Sequence, residues 1–272
     1  MEQEWEQANG HTTRSMNVLQ KGITGSTLKM IAIIAMLVDH IGAVILERIL
    51  VNSGMPVVMS GDSSDMILQF FAENMELTLL WLVMRMVIGR LGFPIFCFLL
   101  VEGFGHTHNI WKYASRLLLF AFLSEVPFDL AIYGMPVYMG YQNVFFTLLV
   151  GLLVMIAYRK IAEKFEGQQF VRIFLYALAL LAGMIVAGVL KSDYGAIGVV
   201  CIMVLYMFRY NKAHQMIAGC VVFLWEVTAP LAFIPIAFYN RQRGLRMKYF
   251  FYIFYPAHLL ILYLIARFCG IV

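Results

Sequence analysis

Long apolar runs separated by short polar segments make up the chain from about residue 28 onward. A helix needs about 20 apolar residues to cross the hydrocarbon core of a bilayer, and several runs approach that length. These runs cover residues 28–50, 78–101, 111–132, 143–161, 170–190, 194–210 and 248–268. A further apolar stretch, 214–239, is interrupted by Glu226, Pro230 and Pro235. The pattern therefore predicts an all-α fold, a polytopic bundle of membrane-spanning helices.

The charges between the runs predict the orientation, because Lys and Arg accumulate in cytoplasmic loops. Segment 51–77 has acidic residues but no Lys or Arg, so it is predicted to lie outside. Segments 209–212 and 241–248 are basic and are predicted to be cytoplasmic. An even number of crossings must then join them, so 214–239 is predicted to form two short or re-entrant helices. The result is about nine spans, with the N-terminus in the cytoplasm.

Composition supports the bilayer as the solvent of this chain. Of its 272 residues, 62% are hydrophobic and 13% are charged, whereas a soluble domain carries about 25% charge. Residues 1–27 are polar and predict a cytoplasmic tail ahead of one transmembrane domain, residues 28–272. The net charge of +4 comes with no basic patch interleaved with aromatic residues, so no nucleic-acid partner is predicted. The four cysteines lie within apolar runs without metal-ligand spacing, and no metal site is predicted.

Ionisable residues recur within the predicted spans, where a charge costs about 3 kcal/mol on insertion scales. Those placed nearest the membrane middle are His40, Arg90, Glu125 and His258. Such residues usually face a bundle interior or a wet cavity and mark a functional site. Because both signs of charge are present, the pattern favours a polar cavity over a purely structural bundle.

The first predicted span has two distinct faces. One is a stripe of small residues suited to close helix packing, formed by Ala32, Ala35, Asp39 and Gly42. Asp39 is expected to pair across that contact with Arg85 or Arg90, and both a structural ion pair and a catalytic role are open interpretations. His40 lies on another stripe, about 16 Å along the helix from Lys29. Lys29 at the cytoplasmic mouth and a general base at His40 form one hypothesis, and a packing role for His40 is the alternative.

Segment 102–109 contains two glycines and two histidines and is predicted to be a turn that opens a helix carrying Lys112 and Arg116. Helix N-termini bind anions, so the segment is a candidate anion site, with an ordinary polar loop as the alternative. The candidate cofactor ligands are then Lys29, His106, His108, Lys112 and Arg116. A zinc site at His106 and His108 is not predicted, because no cysteine or further histidine supports it.

A set of short motifs runs through most of the chain. They are Leu-Lys at 28–29, MLVDHIG at 36–42, RLGFPIF at 90–96, Glu-Gly at 102–103, His-Thr at 106–107, SEVPFD at 124–129, QNVFFT at 142–147, DYG at 193–195 and YIFYPAHL at 252–259. With these motifs the chain resembles the TraX family from residue 28 to about residue 263. One motif departs from the family, whose usual Tyr-Asn-Gly-Lys-Arg-Gly is Tyr-Asn-Arg-Gln-Arg-Gly at 239–244.

The resemblance implies a multi-pass protein of the bacterial cytoplasmic (inner) membrane. The founding TraX protein acetylates the N-terminal amine of conjugative pilin. The first helix is also similar to that of the large membrane acyltransferase family three, which has a basic residue, ten intervening residues and a histidine. Lys29 and His40 match this spacing. The resemblance therefore implies acetyl-CoA as the acetyl donor, entering from the cytoplasm.

The residues then take roles in acetyl transfer. Lys29, His106, His108, Lys112 and Arg116 are expected to bind the CoA phosphates. His40 is expected to be the general base, and Arg90, Glu125 and His258 to position groups or stabilise developing charge, with Asp39 orienting the helix. The acceptor stays open among a pilin N-terminus, a glycan and a small amine.

Two alternatives use the same residues differently. A proton-coupled transporter or flippase could relay protons through the buried Asp, Glu, His and Arg set, although no internal inverted repeat is evident. An inert membrane assembly subunit would tolerate neutral replacement of His40 and Arg90 together.

Overall fold

The structure, a computed structural model, describes residues 22–55, 64–245 and 248–272. Every regular element in these ranges is helical. The helices are α1 (Gly25–Asn52), α2 (Ser64–Glu73), α3 (Met75–His106), α4 (Ile110–Tyr133), α5 (Val144–Lys164), α6 (Gln169–Val189), α7 (Gly195–Met207), α8 (Lys212–Val222), α9 (Phe233–Ala237) and α10 (Lys248–Phe268), with a short 3₁₀ helix, Ala229–Ala232, directly before α9. Most of the predicted tail, 1–27, lies outside the described residues. Helix α1 begins at Gly25, within the predicted tail, because the Thr24 hydroxyl caps the helix by accepting from the Thr27 amide.

Five helices among the described residues are long and apolar enough to cross a membrane. They are α1, α3, α5, α6 and Tyr249–Phe268 of α10. Helix α5 is the most enclosed of these and α6 the least. Two other predicted spans correspond to α4, which carries four charged residues, and to α7, which has 13 residues. The predicted helical membrane protein is confirmed at this level.

The contact between α1 and α3 follows the predicted stripe of small residues. A Cβ at Gly89 on α3 would overlap the Asp39 carboxylate, and one at Gly42 would lie 3.1 Å from the Arg85 side chain. Both helices depart from α geometry there, with π segments at Gly42–Leu46 and Val83–Ile88. Such π segments frequently occur at functional sites. The close approach thus brings the charged residues of the two helices together.

The stretch 214–239 forms two short helices that enter and return at the same end. Lys212 Nζ, at the start of α8, donates to the carbonyl oxygens of Ala237 at 2.6 Å and Tyr239 at 3.1 Å, just after α9. Helices of 11 and 5 residues are too short to cross hydrocarbon. The two short helices predicted from loop charge are therefore observed, and we call them the re-entrant pair because their outer ends meet at one end of the bundle.

The predicted turn at 102–109 is largely helix instead. Helix α3 continues to His106, and only residues 107–109 connect it to α4. Gly103 lies within helix α3 where it touches α4, and a Cβ on it would lie 3.2 Å from the Tyr113 hydroxyl. Asn109 caps α4 by accepting from the Lys112 amide at 2.9 Å. The glycine therefore serves helix packing, a role that local sequence does not distinguish from a turn.

Three segments meet at one end of the bundle, which we call the basic end: 22–29, 102–116 and 239–245. Backbone hydrogen bonds join the first and third, from the Ile23 amide to the Phe238 carbonyl at 2.9 Å and from the Asn240 amide to the Ile23 carbonyl at 3.0 Å. The start of α1 and the segment after α9 are therefore held side by side.

Candidate functional site

A cavity of about 530 Å³ opens at the basic end, between α1, α3, α4, α5 and α10. Small-molecule sites typically enclose about 300–1,000 Å³. Its lining includes every residue predicted to bind the cofactor: Lys29, His106, His108, Lys112 and Arg116. The structure thus brings together, around one space, candidate residues from two separate parts of the chain, residue 29 and residues 106–116.

Two arginines that were not predicted as ligands also line the cavity. Arg241 and Arg243 add their guanidinium groups to the three predicted cations, whereas Glu102 is the one acidic residue in the described lining. Lys29 and Arg243 lie near enough for their positive charges to repel. A cleft lined by one sign of charge concentrates ions of the opposite sign. In the sequence, the charge of segment 241–248 predicts only the topology. The same charge is the signal that could have identified Arg241 and Arg243 as part of the site.

Aromatic rings hold two of the cavity cations. Lys29 Nζ lies 5.2 Å from the ring centroid of Phe251, and the Arg116 guanidinium lies 5.6 Å from that of Tyr113. Neither cation forms an ion pair with a carboxylate in the described part of the chain. A cation–π contact uses no hydrogen-bond acceptor, so it leaves N–H donors of each cation for other partners. Both cations are therefore oriented and still able to bind an anion.

The deep end of the cavity reaches the neighbourhood of a histidine pair. Met36 and Tyr255 line it, and each lies one helical turn before a histidine, His40 on α1 and His258 on α10. The Tyr255 and His40 rings are 6.0 Å apart between centroids. The histidines themselves do not appear in the lining, so the cavity stops one turn short of them.

His40 and His258 form a direct hydrogen bond, 2.8 Å from His40 Nδ1 to His258 Nε2. The other nitrogen of His258, Nδ1, lies 2.8 Å from the carbonyl oxygen of Phe254. A carbonyl oxygen only accepts, so Nδ1 of His258 carries the proton and its Nε2 is the acceptor. His40 Nδ1 must then be the donor. The unprotonated nitrogen of the pair is His40 Nε2.

The environment of His258 keeps this arrangement in place. Only 4% of the residue is exposed, and its ring stacks on that of Phe254 at 4.9 Å between centroids. The second shell of hydrogen bonds around a histidine fixes which nitrogen is available. The pair can therefore present a lone pair at His40 Nε2 for proton abstraction.

Asp39 belongs to a different contact from its neighbour His40. Arg85 Nη1 lies 2.8 Å from Asp39 Oδ1. Of the two predicted partners of Asp39, Arg85 and Arg90, Arg85 is therefore the one that pairs with it. The same guanidinium reaches Glu47 through Nε at 3.6 Å, and the Trp81 indole donates to Glu47 at 3.3 Å. Asp39 faces α3, whereas His40 faces α10. The carboxylate therefore joins two helices and is not brought to the cavity.

Arg90 joins α3 to the re-entrant pair. Its Nη1 lies 3.2 Å from Glu226 Oε1, in the connection between α8 and α9. The Thr228 hydroxyl donates to the Met86 carbonyl, an oxygen of the π segment in α3. Arg90 does not line the cavity, and its pairing with Glu226 was not predicted. The sequence signal for this pairing is Glu226 itself, an acidic residue that interrupts the apolar stretch 214–239.

Glu125 holds the beginning of α5. It accepts from the Asn143 amide at 3.0 Å and from the Asn143 side chain, while Asn143 caps the helix by accepting from the Phe145 amide at 3.0 Å. Val144 and Phe145, the first residues of α5, line the cavity, but Glu125 does not. Glu125 therefore acts on the site through the position of α5.

These features define a helical membrane protein with a basic cavity at one end and a histidine pair at the cavity's depth. The chain belongs to the TraX family, whose model, described as TraX protein, matches residues 24–266. It is similar to the probable fimbrial assembly protein FimC, serogroup H1, of Dichelobacter nodosus, at 28% identity over 206 residues, or 64% of this chain and 80% of that protein. No solved structure matches the chain significantly. The family match covers the cavity and both histidines.

Proposed function

We propose that this TraX family member is an acetyltransferase of the bacterial inner membrane, which moves an acetyl group from cytoplasmic acetyl-CoA to an amine or hydroxyl acceptor. The observation that carries the proposal is that α1 joins two functional groups. Lys29 stands in the basic cavity, and His40 presents an unprotonated nitrogen about 16 Å further along the helix. A donor with an anionic head and a long thioester arm fits such a separation.

The cavity lining supports the binding of this donor. Its cations and histidines lie at the basic end, where the CoA phosphates would bind. Deeper in, the lining is mainly apolar and includes Phe96, Leu99 and Leu148, which suits the pantetheine arm. The arm would bring the thioester to Met36 and Tyr255, beside the histidine pair.

The chemistry follows from the hydrogen bonds of His40. Nε2 takes a proton from the acceptor amine or hydroxyl as that atom attacks the thioester carbonyl. The carbon–sulfur bond breaks, and the imidazolium returns the proton to the departing CoA thiolate. His258 holds the His40 tautomer and shares the transient positive charge through the Nδ1 hydrogen bond. Asp39, Arg90 and Glu125 keep α1, α3 and α5 in position for this step.

The cavity lining bears on the acetyl acceptor less directly than on the acetyl donor. The name of the FimC relative concerns fimbrial assembly, which among the three acceptor classes favours the N-terminal amine of a fibre subunit. A glycan or small amine would meet the same base. The basic end faces the cytoplasm in this proposal, following the positive-inside rule.

The experiment is acetyl transfer by the full-length chain in phosphatidylcholine nanodiscs, with labelled acetyl-CoA and a synthetic peptide whose N-terminal amine is free. The same peptide with a blocked amine is the acceptor control. We expect His40→Ala to lower kcat by about a hundredfold or more, the range of a lost general base. His214→Ala is the matched control, because His214 is exposed outside the cavity.

Equal activity of the His40→Ala variant and the parent would remove the assigned base. If no labelled product forms with any acceptor, but a pH gradient drives solute flux in proteoliposomes without CoA, the transporter alternative replaces this proposal.

A further inference from the structure

The segment that carries Arg241 and Arg243 is fixed to the start of α1 although it has no helix or strand of its own. The Gly25 amide donates to the Gln242 carbonyl at 2.7 Å, and the Ser26 amide donates to the Arg243 carbonyl at 3.0 Å. The Ser26 hydroxyl accepts from the Leu245 amide at 3.0 Å. The first helical amides are thus satisfied by this segment, which places its side chains at the cavity mouth.

Arg241 has a backbone conformation that is unusual for its residue type. Its φ is 62°, in the left-handed region that glycine adopts most readily. Within the turn, the Gln242 amide donates to the Asn240 side chain at 3.0 Å. A non-glycine residue held at such a φ is costly and is a reason to look for a function of its side chain. Here that side chain lines the cavity.

The two arginines lack a carboxylate partner in the described part of the chain. Both are exposed, and neither takes part in an ion pair with a described Asp or Glu. Arg243 lies close to Lys29, so three cations share the mouth of one cavity with no acidic neighbour but Glu102. Their mutual repulsion is relieved when a ligand with more than one negative charge binds.

We propose that Arg241 and Arg243, with Lys29, bind a terminal phosphate monoester, the 3′-phosphate of coenzyme A. A phosphate monoester carries about −1.5 to −2 charge and three acceptor oxygens near neutral pH. Planar guanidinium groups bind such oxygens in pairs, which a lysine cannot do. The identity of the ligand rests on the proposed function. The site itself rests on the position of the segment and on its unpaired cations.

A lipid headgroup phosphate is the other source of the same chemistry at this end of the bundle. A phosphodiester headgroup carries one negative charge and no terminal phosphate. Binding is therefore measured for CoA and for dephospho-CoA, which lacks the 3′-phosphate. Each ligand is titrated into the full-length chain in phosphatidylcholine nanodiscs and again in phosphatidylglycerol nanodiscs.

Arg241→Gly removes the guanidinium and also relaxes the backbone. We expect its CoA affinity to fall about tenfold, the effect of one charge-assisted hydrogen bond, while dephospho-CoA affinity stays near that of the parent. Its melting temperature should stay level or rise. A residue that served the fold would give the opposite change in stability.

Lys191→Gly is the matched control, because Lys191 is also an exposed cation at positive φ, 51°, but lies in the turn between α6 and α7 and does not line the cavity. Its CoA affinity should equal that of the parent. Arg243→Gln should lose the preference for CoA as Arg241→Gly does.

Three results would overturn the inference. One is an equal loss of CoA and dephospho-CoA affinity in Arg241→Gly, another is the same affinity change in Lys191→Gly, and a third is CoA binding that disappears in phosphatidylglycerol discs through competition by lipid. A chain that binds CoA with this preference but transfers no acetyl would refute the proposed function and leave the subsite standing.

Discussion

The direction of each hydrogen bond at His40 determines which ring nitrogen can take part in chemistry. His258 Nε2 accepts from His40 Nδ1 only because the proton of His258 lies on Nδ1, where it is donated to the Phe254 carbonyl. Without His258 Nε2 as an acceptor, His40 can adopt the tautomer that places its proton on Nε2. The role of His258 is thus positional, and it should be separable from donor binding.

We predict that His258→Phe lowers kcat for acetyl transfer about tenfold to a hundredfold, since a lost hydrogen bond to the developing imidazolium is worth about 1.5–3 kcal/mol. The KM for acetyl-CoA should change little, because the cations of the cavity are untouched. His258→Gln should recover part of the rate, since its amide can accept from His40 and donate to Phe254. Equal losses in the Phe and Gln variants would contradict a tautomer-holding role.

The neighbouring residue Asp39 poses a different question, whether its ion pair with Arg85 serves structure or catalysis. The Asp39 and Arg85 side chains are only 17% and 22% exposed, so the protein encloses most of the pair. We predict that Asp39→Asn lowers the free energy of unfolding by about 3 kcal/mol, the lower end of the loss typical of a broken buried pair. Thermal unfolding in detergent measures it, with Glu47→Gln as a nearby control of smaller effect.

The double variant Asp39→Asn with Arg85→Met then separates the two roles. It removes both charges of the Asp39–Arg85 pair and leaves the Trp81 indole as the donor to Glu47, so stability should return toward that of the parent. Recovery of acetyl transfer along with stability makes Asp39 structural. Recovery of stability alone assigns it to the reaction.

At the scale of elements, the sequence predicts much of the bundle and little of its long-range contacts. Loop charge alone predicts two short helices between α7 and α10, and α8 and α9 are the two helices observed there. The contact between His40 and His258 joins residues 218 positions apart, and no local pattern determines how two such helices align. The sequence predicts a turn at Gly103 whereas the structure has a helix, because a glycine at a helix contact and one in a turn look alike in sequence.

The segment after α9 shows the same limit. Its positive φ at Arg241 explains why the family's usual motif has glycine there, but the sequence shows only the departure. That both arginines reach the cavity follows from pairing with residues 25 and 26, more than two hundred positions earlier in the chain.

Gly244 is the residue that lets this segment pack on α1. Its φ is 71°, and a Cβ there would overlap the Ser26 and Thr24 hydroxyl groups. We predict that Gly244→Ala releases the segment, so that trypsin cleaves after Arg243 more rapidly and CoA binds less tightly. Gly270→Ala is the matched control, because Gly270 has φ 68° but nothing within 4 Å of a new Cβ. Strain alone costs about 1–2 kcal/mol in both variants, so the difference between them measures the clash.

At the scale of the whole molecule, basic residues from separate connections gather at one end. Lys160 Nζ, near the end of α5, lies 5.2 Å from the centroid of the Trp111 ring at the start of α4. Lys212 Nζ donates a hydrogen bond to the Tyr239 carbonyl oxygen. These contacts place the basic connections at the level of the cavity mouth. By the positive-inside rule, we expect this end of the bundle and its cavity to face the cytoplasm, as the proposed function requires.

Cysteine labelling tests that orientation together with the re-entrant pair. In a chain whose four cysteines are replaced by serine, single cysteines are placed at Tyr210 before α8, at Gln242 after α9 and at Met139 between α4 and α5, all exposed positions. We predict that a membrane-impermeant maleimide labels Met139→Cys in intact cells, and labels Tyr210→Cys and Gln242→Cys only in inverted vesicles. Labelling of the last two from opposite sides would mean that 212–239 crosses the membrane once. The arginines of the cavity mouth would then lie outside, beyond the reach of cytoplasmic acetyl-CoA.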